Sequence, residues 1–354
     1  MDVLLGLTGF LGIVVGLLWS IVCLFRRRPF KVPAIVLVIA VLLFSAGLAL
    51  SPAADERAAN DEEVEALEDP VTKDPEPAPA EEEVTAEEEP AEPLEEEEVE
   101  PAFELEVHFI DVGQGDAIFI DAPAKDLLID GGDRGYTVVN YLGDLGIDSL
   151  DLVIGTHPHA DHIGGLINVM ETLPVGEIID PGVLHTTDTY EDYINIIESK
   201  NITYTEGRAG MEWDLGEGIT MQIIHPCSPS EDHLNNASIV TRVSYDQVSF
   251  MLTGDTETEA EKEILGRDYD LKSTILKAGH HGSSTSSTQA FLDALDPELA
   301  VIMCGEDNPY DHPHDETLER LAGAEIEIYR TDLQGDIVIT TDGQTYEVNL
   351  EPWN

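Results

Sequence analysis

The chain has few basic residues. Lys and Arg number 17 against 72 Asp and Glu in 354 residues, and the formal net charge is -55 at pH 7. Because affinity for phosphate backbones comes mostly from Lys and Arg, this composition argues against a nucleic-acid binder held by a basic surface. A large excess of acid is instead typical of a strongly solvated exterior or a salty habitat.

Cysteine is also scarce. The three cysteines are Cys23, Cys227 and Cys304, and Cys23 lies in an apolar run. Three cysteines exclude a disulfide framework and leave one Cys227–Cys304 bridge as the only pairing to consider outside that run. The fold must therefore rest on a hydrophobic core, and the length allows one large or two ordinary domains.

Two charge-free apolar runs, residues 3–24 and 32–50, flank the basic segment "FRRRPFK" near the N-terminus. Each is long enough for a membrane-spanning helix, which needs about 20 residues. The positive-inside rule places the basic segment in the cytoplasm. We therefore predict a transmembrane helical hairpin over residues 1–50, a cell-membrane location and an extracytoplasmic C-terminal domain. The alternative is a cleaved signal peptide ending near "GLALSPA", but the first run has no basic segment before it.

Residues 51–102 are rich in Glu, Pro and Ala and contain no aromatic residue. Like charges repel one another and proline interrupts helices, so this composition predicts an extended, disordered acidic linker. An acidic segment that binds cations or proteins is the alternative.

Residues 103–354 alternate short apolar runs with amphipathic segments, which predicts a layered α/β domain. The predicted strands are 105–111, 117–121, 126–130, 150–156, 219–225, 238–245, 248–253, 273–277, 299–304, 325–329 and 336–341. The predicted helices are 136–145, 162–171, 189–199, 258–265, 287–295 and 315–321.

The segment "THPHADHIGG" follows the predicted strand 150–156 and precedes a helix. His157 and His159 alternate and can face one metal ion, while Asp161 and His162 can face a second. Imidazole and carboxylate ligands suit Zn, Mn or Fe. A lone histidine is usually a polar surface residue, but three histidines and an aspartate in six positions favour a metal site.

Other candidate residues also follow predicted strands. Asp130 in "LLIDGG" can orient the histidine loop, and Asp255 in "FMLTGDT" can bridge two metal ions, although each is also a common turn residue. His280 and His281 follow "TILKAG", and without further information they would be polar loop residues. The segment "DVGQGD" reads as a tight turn whose contact with substrate is left open.

These motifs together resemble the metallo-β-lactamase fold. The order "HFIDVGQGDAIFI", "LLIDGG", "THPHADHIGG", "FMLTGDT", "LKAGHHGS" and "YDHPHDETLERL" is similar to that of the extracytoplasmic nuclease-like domain of ComEC-type competence proteins. The resemblance covers residues 103–354. It implies an αββα sandwich, preceded here by the predicted hairpin and linker, with a metal site at one edge of the paired sheets.

The resemblance also implies roles for individual residues. The metal ligands would be His157, His159, Asp161, His162, Asp255 and His312, with Asp255 as the bridging ligand and His314 a helix-start residue. The catalytic side chains would be Asp130, Asp161 and one of His280 and His281, which would act as a general acid or orient the phosphate. Ser283 would bind phosphate or act as a cap.

One departure from the fold's usual pattern concerns its third-motif histidine, which "HLNNASIV" replaces with Asn235, Asn236 and Ser238. The ComEC-type pattern has Asn and Ser there as well. Amides are poor ligands for Zn and better ones for Mn. We therefore expect one or two divalent ions, Mn or Zn, with Asn235 or Asn236 as ligands. His225 or His233 as a substitute ligand is the alternative.

The predicted function is metal-dependent hydrolysis of a phosphodiester or of single-stranded nucleic acid by a membrane-tethered enzyme. The acidic domain favours a short oligonucleotide or a small diester over long DNA, because a polyanion is repelled. The alternatives are a lactonase or esterase on the same fold and a non-catalytic surface binding module.

Overall fold

The structure, a computed structural model, describes residues 104–230 and 232–354. The predicted hairpin and the predicted linker, which together cover residues 1–102, lie outside these described residues. Within the two described ranges, no helix combines the length and apolar character needed to cross a bilayer.

Two β-sheets form the centre of this domain. The first has eight strands in the order β15-β14-β1-β2-β3-β4-β5-β6, and the second has seven in the order β13-β12-β11-β10-β9-β8-β7. The strands of the first sheet are β1 Leu105–Phe109, β2 Ile118–Asp121, β3 Leu127–Ile129, β4 Leu150–Ile154, β5 Val175–Asp180, β6 Thr203–Glu206, β14 Ile337–Thr341 and β15 Tyr346–Val348. Those of the second are β7 Glu212–Gly216, β8 Ile219–His225, β9 Val240–Tyr245, β10 Val248–Leu252, β11 Ile275–Lys277, β12 Leu299–Ile302 and β13 Glu327–Arg330.

Seven helices accompany these strands in the described ranges. They are α1 Thr137–Leu145, α2 Ala160–Thr172, α3 Asp188–Lys200, α4 Thr258–Leu265, α5 Gln289–Leu295, α6 Asp315–Gly323 and the single-turn α7 Thr331–Gln334. Helices α1, α2 and α3 connect the parallel strands β3 to β6, and α4, α5 and α6 connect the parallel strands β10 to β13. Parallel neighbours need such crossover connections, so the two halves of the domain repeat one βα arrangement.

Three buried clusters define the layers. One contains side chains of both sheets, such as Phe109 and Phe250, and fills the space between them. A second joins the first sheet to α1, α2 and α3 through residues such as Tyr193. The third joins the second sheet to α4, α5 and α6 through residues such as Phe291. This helix–sheet–sheet–helix order confirms the predicted αββα sandwich.

Every predicted strand and helix overlaps an observed element, but four strands and the short α7 were not predicted. The missed strands β6, β7 and β15 begin or end their sheets, and only Leu215 among their residues is buried. Edge strands of this kind pair through the backbone and need no apolar pattern. The fourth, β5, is buried only in its last three residues.

Candidate metal centre

Polar side chains from four strand ends meet at one edge of the sandwich. Asp130 follows β3, the histidine loop follows β4, Asp255 follows β10 and His281 follows β11. The first two strands belong to one sheet and the last two to the other. Side chains beyond the carboxyl ends of parallel strands are well placed to form a site, because the crossover loops leave that edge open.

Glycines bring the turn after β3 into backbone contact with the first turns of α2. An added Cβ on Gly165 would lie only 1.9 Å from the carbonyl oxygen of Gly131. Gly131 N donates to His162 O at 2.7 Å, and Gly165 N donates to Gly132 O at 2.8 Å. The "DGG" and "HIGG" segments therefore lock together through their main chains, and this fixes the distance between Asp130 and the histidine loop.

Asp130 is fully buried and holds the loop through three hydrogen bonds. Its carboxylate accepts from Thr156 N at 2.8 Å, from Thr156 Oγ1 at 2.7 Å and from His162 Nδ1 at 2.7 Å. With Nδ1 of His162 donating, Nε2 is left facing the cluster. Burial raises the pKa of Asp130, and the contact with His162 opposes that rise. The residue thus orients a histidine, as the sequence predicted for it.

A first group of possible ligands consists of His157, His159 and Asp255, whose ligand atoms all lie within 4.8 Å of one another. His157 Nε2 is 2.9 Å from His159 Nδ1 and 3.7 Å from Asp255 Oδ2. Ser238 supports the group, because its hydroxyl accepts from Asp255 N at 3.1 Å and lies 3.3 Å from His157 Nδ1.

A second group consists of Asp161, His162 and His281 within the same 4.8 Å limit. His281 Nε2 lies 3.3 Å from His162 Nε2, 3.5 Å from Asp161 Oδ2 and 3.4 Å from Asp255 Oδ1. Asp255 Oδ2 is also 3.3 Å from His162 Nε2, so Asp255 stands between the two groups.

This donor set fits divalent cations. Asp255 Oδ1 is buried and accepts no hydrogen bond from the described residues, which leaves a carboxylate oxygen free to bind an ion. Imidazole nitrogens and carboxylate oxygens converge from both sides of it, as transition-metal sites require. The predicted His157, His159, Asp161, His162 and Asp255 are therefore brought together.

The pKa shifts in the cluster also favour a site for divalent cations. Burial opposes the charge of Asp255, but His162 and His281 outweigh it and hold the Asp255 pKa well below its usual range. Conversely, burial would lower the pKa of His162 and of His281, but nearby carboxylates raise both well above the ordinary value. Burial, followed by repulsion from His162, lowers the pKa of His157 and of His159. Without a metal ion, protons on His162 and His281 balance the negative charge of the carboxylates. A bound dication would neutralise that charge in their place.

The adjacent His280 and His281 occupy different environments, and this separates two residues that the sequence could not tell apart. His281 is buried, with Nδ1 donating to Met303 O at 2.9 Å and Nε2 in the second group. The partly exposed His280 has Nδ1 at 3.2 Å from Glu257 Oε1 and Nε2 at 3.8 Å from Asp255 Oδ2. Left-handed backbone angles at both residues, φ 46° and φ 53°, permit this divergence.

The amide side chains behave differently from the expectation. Asn236 Oδ1 accepts from the backbone N–H groups of Glu257 at 3.0 Å and Ala260 at 3.4 Å, so it caps the start of α4. This placement does not support Asn236 as a metal ligand. Asn235 Nδ2 instead lies 3.4 Å from His280 Nε2, and its buried Oδ1 has no hydrogen-bond partner among the described residues.

The alternative substitutes for the missing third-motif histidine also lie apart from the two groups. Nδ1 of His225 donates to the backbone carbonyl of Ser238 at 3.1 Å, and its Nε2 lies 3.7 Å from Glu263 Oε2. His233 lines a small cavity that also touches His159, without joining a candidate group of the described residues.

His312, the predicted last ligand, belongs to no candidate metal group in the described ranges. Its ring centre is 5.3 Å from that of His280 and 6.1 Å from that of His281. His281, which the sequence offered only as a catalytic candidate, lies in the second group instead. Nδ1 of His314 accepts from Ser284 N at 2.9 Å, which fits the expected structural role of His314.

A buried ion pair adjoins the cluster and contains Lys277, which the sequence did not single out, and Asp116 of the segment "DVGQGD". Lys277 Nζ pairs with Asp116 Oδ2 at 2.6 Å, and both side chains are buried. Asp116 Oδ1 lies 3.2 Å from His281 Nδ1, and Asp116 also forms candidate groups with Asp255 and His281 and with Asp130 and His162. Burial raises the pKa of Asp116, but Lys277 and His281 outweigh it and lower the value overall. A lysine inside the apolar strand "TILKAG" was a usable signal, because a buried ammonium requires a partner.

The fold and the paired His/Asp groups define a class of protein. The chain belongs to the metallo-beta-lactamase superfamily, whose sequence model matches residues 110–306. It has the αββα sandwich and the ligand-type residues of a metallo-hydrolase of that superfamily.

Its relatives confirm the resemblance to ComEC-type competence proteins. ComE operon protein 3 of Bacillus subtilis is 31% identical over 252 residues, covering 66% of this chain and 32% of the relative. Competence protein ComA of Neisseria gonorrhoeae is 30% identical over 243 residues, which cover 67% of this chain and 32% of that relative. The chain thus spans about a third of the length of the curated relatives it matches.

Among solved structures, the metallo-beta-lactamase fold protein YhfI from Bacillus subtilis aligns with 68% of this chain and 100% of its own, at a TM-score of 0.48 and 12% identity.

Proposed function

We propose that this protein is a metal-dependent phosphodiesterase that cleaves single-stranded nucleic acid or a small phosphodiester. The observation that carries the proposal is the pair of neighbouring ligand groups with Asp255 between them, 3.3 Å from His162 Nε2 and 3.4 Å from His281 Nε2. Two neighbouring divalent ions would suit in-line phosphoryl displacement. The ligands would be His157, His159, Asp161, His162, Asp255 and His281. Bound ions would supply Lewis acidity and lower the pKa of water.

His280 is the proposed general acid. Its imidazole is partly exposed, whereas both ring nitrogens of His281 are engaged, Nδ1 with Met303 O and Nε2 in the second group. Nδ1 of His280 lies 3.2 Å from Glu257 Oε1, and Thr285 Oγ1 donates to the same oxygen at 3.0 Å. A histidine with a carboxylate beside Nδ1 can present the proton on Nε2 to a leaving oxygen.

Manganese is the proposed working metal, with zinc as the second choice. The fold's usual third-motif histidine is replaced by Asn235 and Ser238, which offer oxygen atoms in place of an imidazole nitrogen. Oxygen-rich sites favour harder cations. Asn235 Oδ1 is buried and has no hydrogen-bond partner among the described residues, and Asn235 lines the same small cavity as His159, which supports a polar role for this amide.

The proposed setting is the outer face of a cell membrane, with the two apolar runs of residues 1–50 as the anchor. Names of the relatives that refer to competence support a nucleic-acid substrate. The net charge of -55 limits its length, because long polyanions are repelled. We therefore propose oligonucleotides and small diesters in preference to long duplex DNA.

The test is hydrolysis of single-stranded DNA and of a small chromogenic diester by the purified protein with added Mn or Zn. His159→Ala removes a proposed ligand, and His314→Gln is the matched control outside both groups. Metal-dependent cleavage that only His159→Ala abolishes would support the proposal. An inert wild-type protein that demonstrably binds metal would refute it. Assays on esters and lactones would then follow, because neutral substrates are not repelled by the acidic surface.

A further inference from the structure

His312 is held in a fixed orientation, although its side chain makes no hydrogen bond to the described residues. Asn308 clamps its backbone, accepting from His312 N at 3.0 Å and donating to His312 O at 2.6 Å. The ring of Tyr310 stacks against the imidazole with centroids 5.7 Å apart and an interplanar angle of 27°. Nδ1 of His312 is buried without a partner in the described ranges.

Buried polar atoms without partners are uncommon in native structures and call for an explanation. Coordination does not provide it here, because His312 lies outside every candidate metal group of the described residues. Its neighbours are instead the proposed general acid His280, at 5.3 Å between ring centres, and His281 at 6.1 Å. The side chain thus stands beside the reacting end of the site.

The ring of His312 can supply a hydrogen-bond donor, because an imidazole carries at least one N–H. No described residue pairs with its buried Nδ1, so this position is left for a ligand.

We propose that His312 contacts substrate, donating a hydrogen bond from Nδ1 to a phosphoryl oxygen held between His280 and the ligand groups. This rests on the proposed phosphodiester chemistry, and it extends to inorganic phosphate, which offers the same oxygens. The loop "YDHPH", which the sequence predicted to bind the metal, would thus bind the substrate.

Two calorimetric titrations of the full-length protein test the assignment: Mn into the metal-free protein, then inorganic phosphate into the Mn-loaded protein. His312→Ala is expected to bind Mn within about twofold of wild type and phosphate about ten- to a hundredfold more weakly. His312→Asn, whose amide nitrogen reaches close to the position of Nδ1, should recover part of the phosphate affinity. His314→Gln is the control and should leave both affinities unchanged.

Either of two results would overturn the assignment. A loss of Mn affinity of about tenfold or more in both His312 variants would make the residue a ligand. Phosphate affinity that is unchanged, or undetectable in wild type, would leave His312 only a packing role. If His312→Ala does not fold, His312→Gln replaces it, because its amide extends past the Nδ1 position. Phosphate binding without cleavage of any diester would refute the proposed function and leave this assignment standing.

Discussion

Replacing Lys277 with methionine tests how much the buried ion pair between Lys277 and Asp116 contributes to stability. The Lys277 side chain is 0% exposed and that of Asp116 is 2% exposed, and Nζ lies 2.6 Å from Oδ2. Nζ also donates to Ala278 O at 3.0 Å. Methionine fills a similar volume, so the substitution removes the charge and the hydrogen bonds without opening a large cavity.

The expected cost is large because the partner remains buried. Removing one member of a buried ion pair typically costs about 3–5 kcal/mol, since the other charge is left uncompensated. In a domain of this size each kcal/mol lowers the melting temperature by about 2–4 °C, which predicts a fall of about 6–20 °C.

The loss should also depend on pH. In wild type the pKa of Asp116 is lowered from its ordinary 3.8, so the stability it contributes is present above that pH and is lost as pH falls. Without Lys277, His281 alone among the two opposes the effect of burial, so the pKa of Asp116 should rise from its wild-type value and its ionisation should contribute less stability. The difference in melting temperature between wild type and Lys277→Met should therefore increase from pH 4 to pH 7.

Thermal unfolding followed by circular dichroism at pH 4, 5.5 and 7 measures the effect. The matched variant Lys277→Met with Asp116→Asn carries no buried charge at this position and should recover most of the lost stability at pH 7. If Lys277→Met alone melts within a degree or two of wild type at pH 7, the pair does not contribute as a buried ion pair. A double variant no more stable than the single one would contradict the reasoning equally.

Two further predictions concern ionisation. Burial, followed by repulsion from Asp121 and Asp151, raises the pKa of Asp126 from 3.8 to about 6, so its ionisation destabilises the fold as pH rises through this window. Asp126→Asn should therefore add about 1 kcal/mol at pH 7.5, after allowance for solvent screening, and nothing at pH 4; equal melting shifts at both pH values would contradict this. Mn binding at pH 7 should release about two protons, because His162 and His281 have raised pKa values and must lose protons to act as ligands. Calorimetry in buffers of different ionisation enthalpy measures that release, and buffer-independent heats would refute it.

Most of the fold could be predicted because its central strands are buried on one or both faces. Strands such as Val248–Leu252 are buried throughout, and α3 shows helical periodicity, with Tyr190, Tyr193 and Ile197 on its buried face. Three of the four strands that escaped prediction, β6, β7 and β15, lie at sheet edges and pair mainly through backbone hydrogen bonds, which no side-chain pattern encodes. The fourth, β5, is an interior strand whose first three residues are not buried.

The site was only partly predictable for a different reason. His157, His159, Asp161 and His162 lie within six residues, so local spacing alone brings them together. The choice between His281 and His312 depends on two loops that follow different strands, and on a left-handed backbone at His281 that a linear sequence does not reveal. The Lys277–Asp116 pair joins residues far apart in the chain, and only packing brings them into contact.

The backbone contact between Gly165 and Gly131 has a consequence for how substitutions near the site should be interpreted. A methyl group on Gly165 would occupy the space of the Gly131 carbonyl, so the helix would have to move away from the turn that carries Asp130. The side chains that bind the ion would then be intact but misaligned. A Gly165→Ala protein that fails to take up metal would thus mimic a ligand deletion. The segment "HADHIGG" therefore supplies the proposed metal-ligand side chains and also the glycine that allows its main chain to contact the turn after β3.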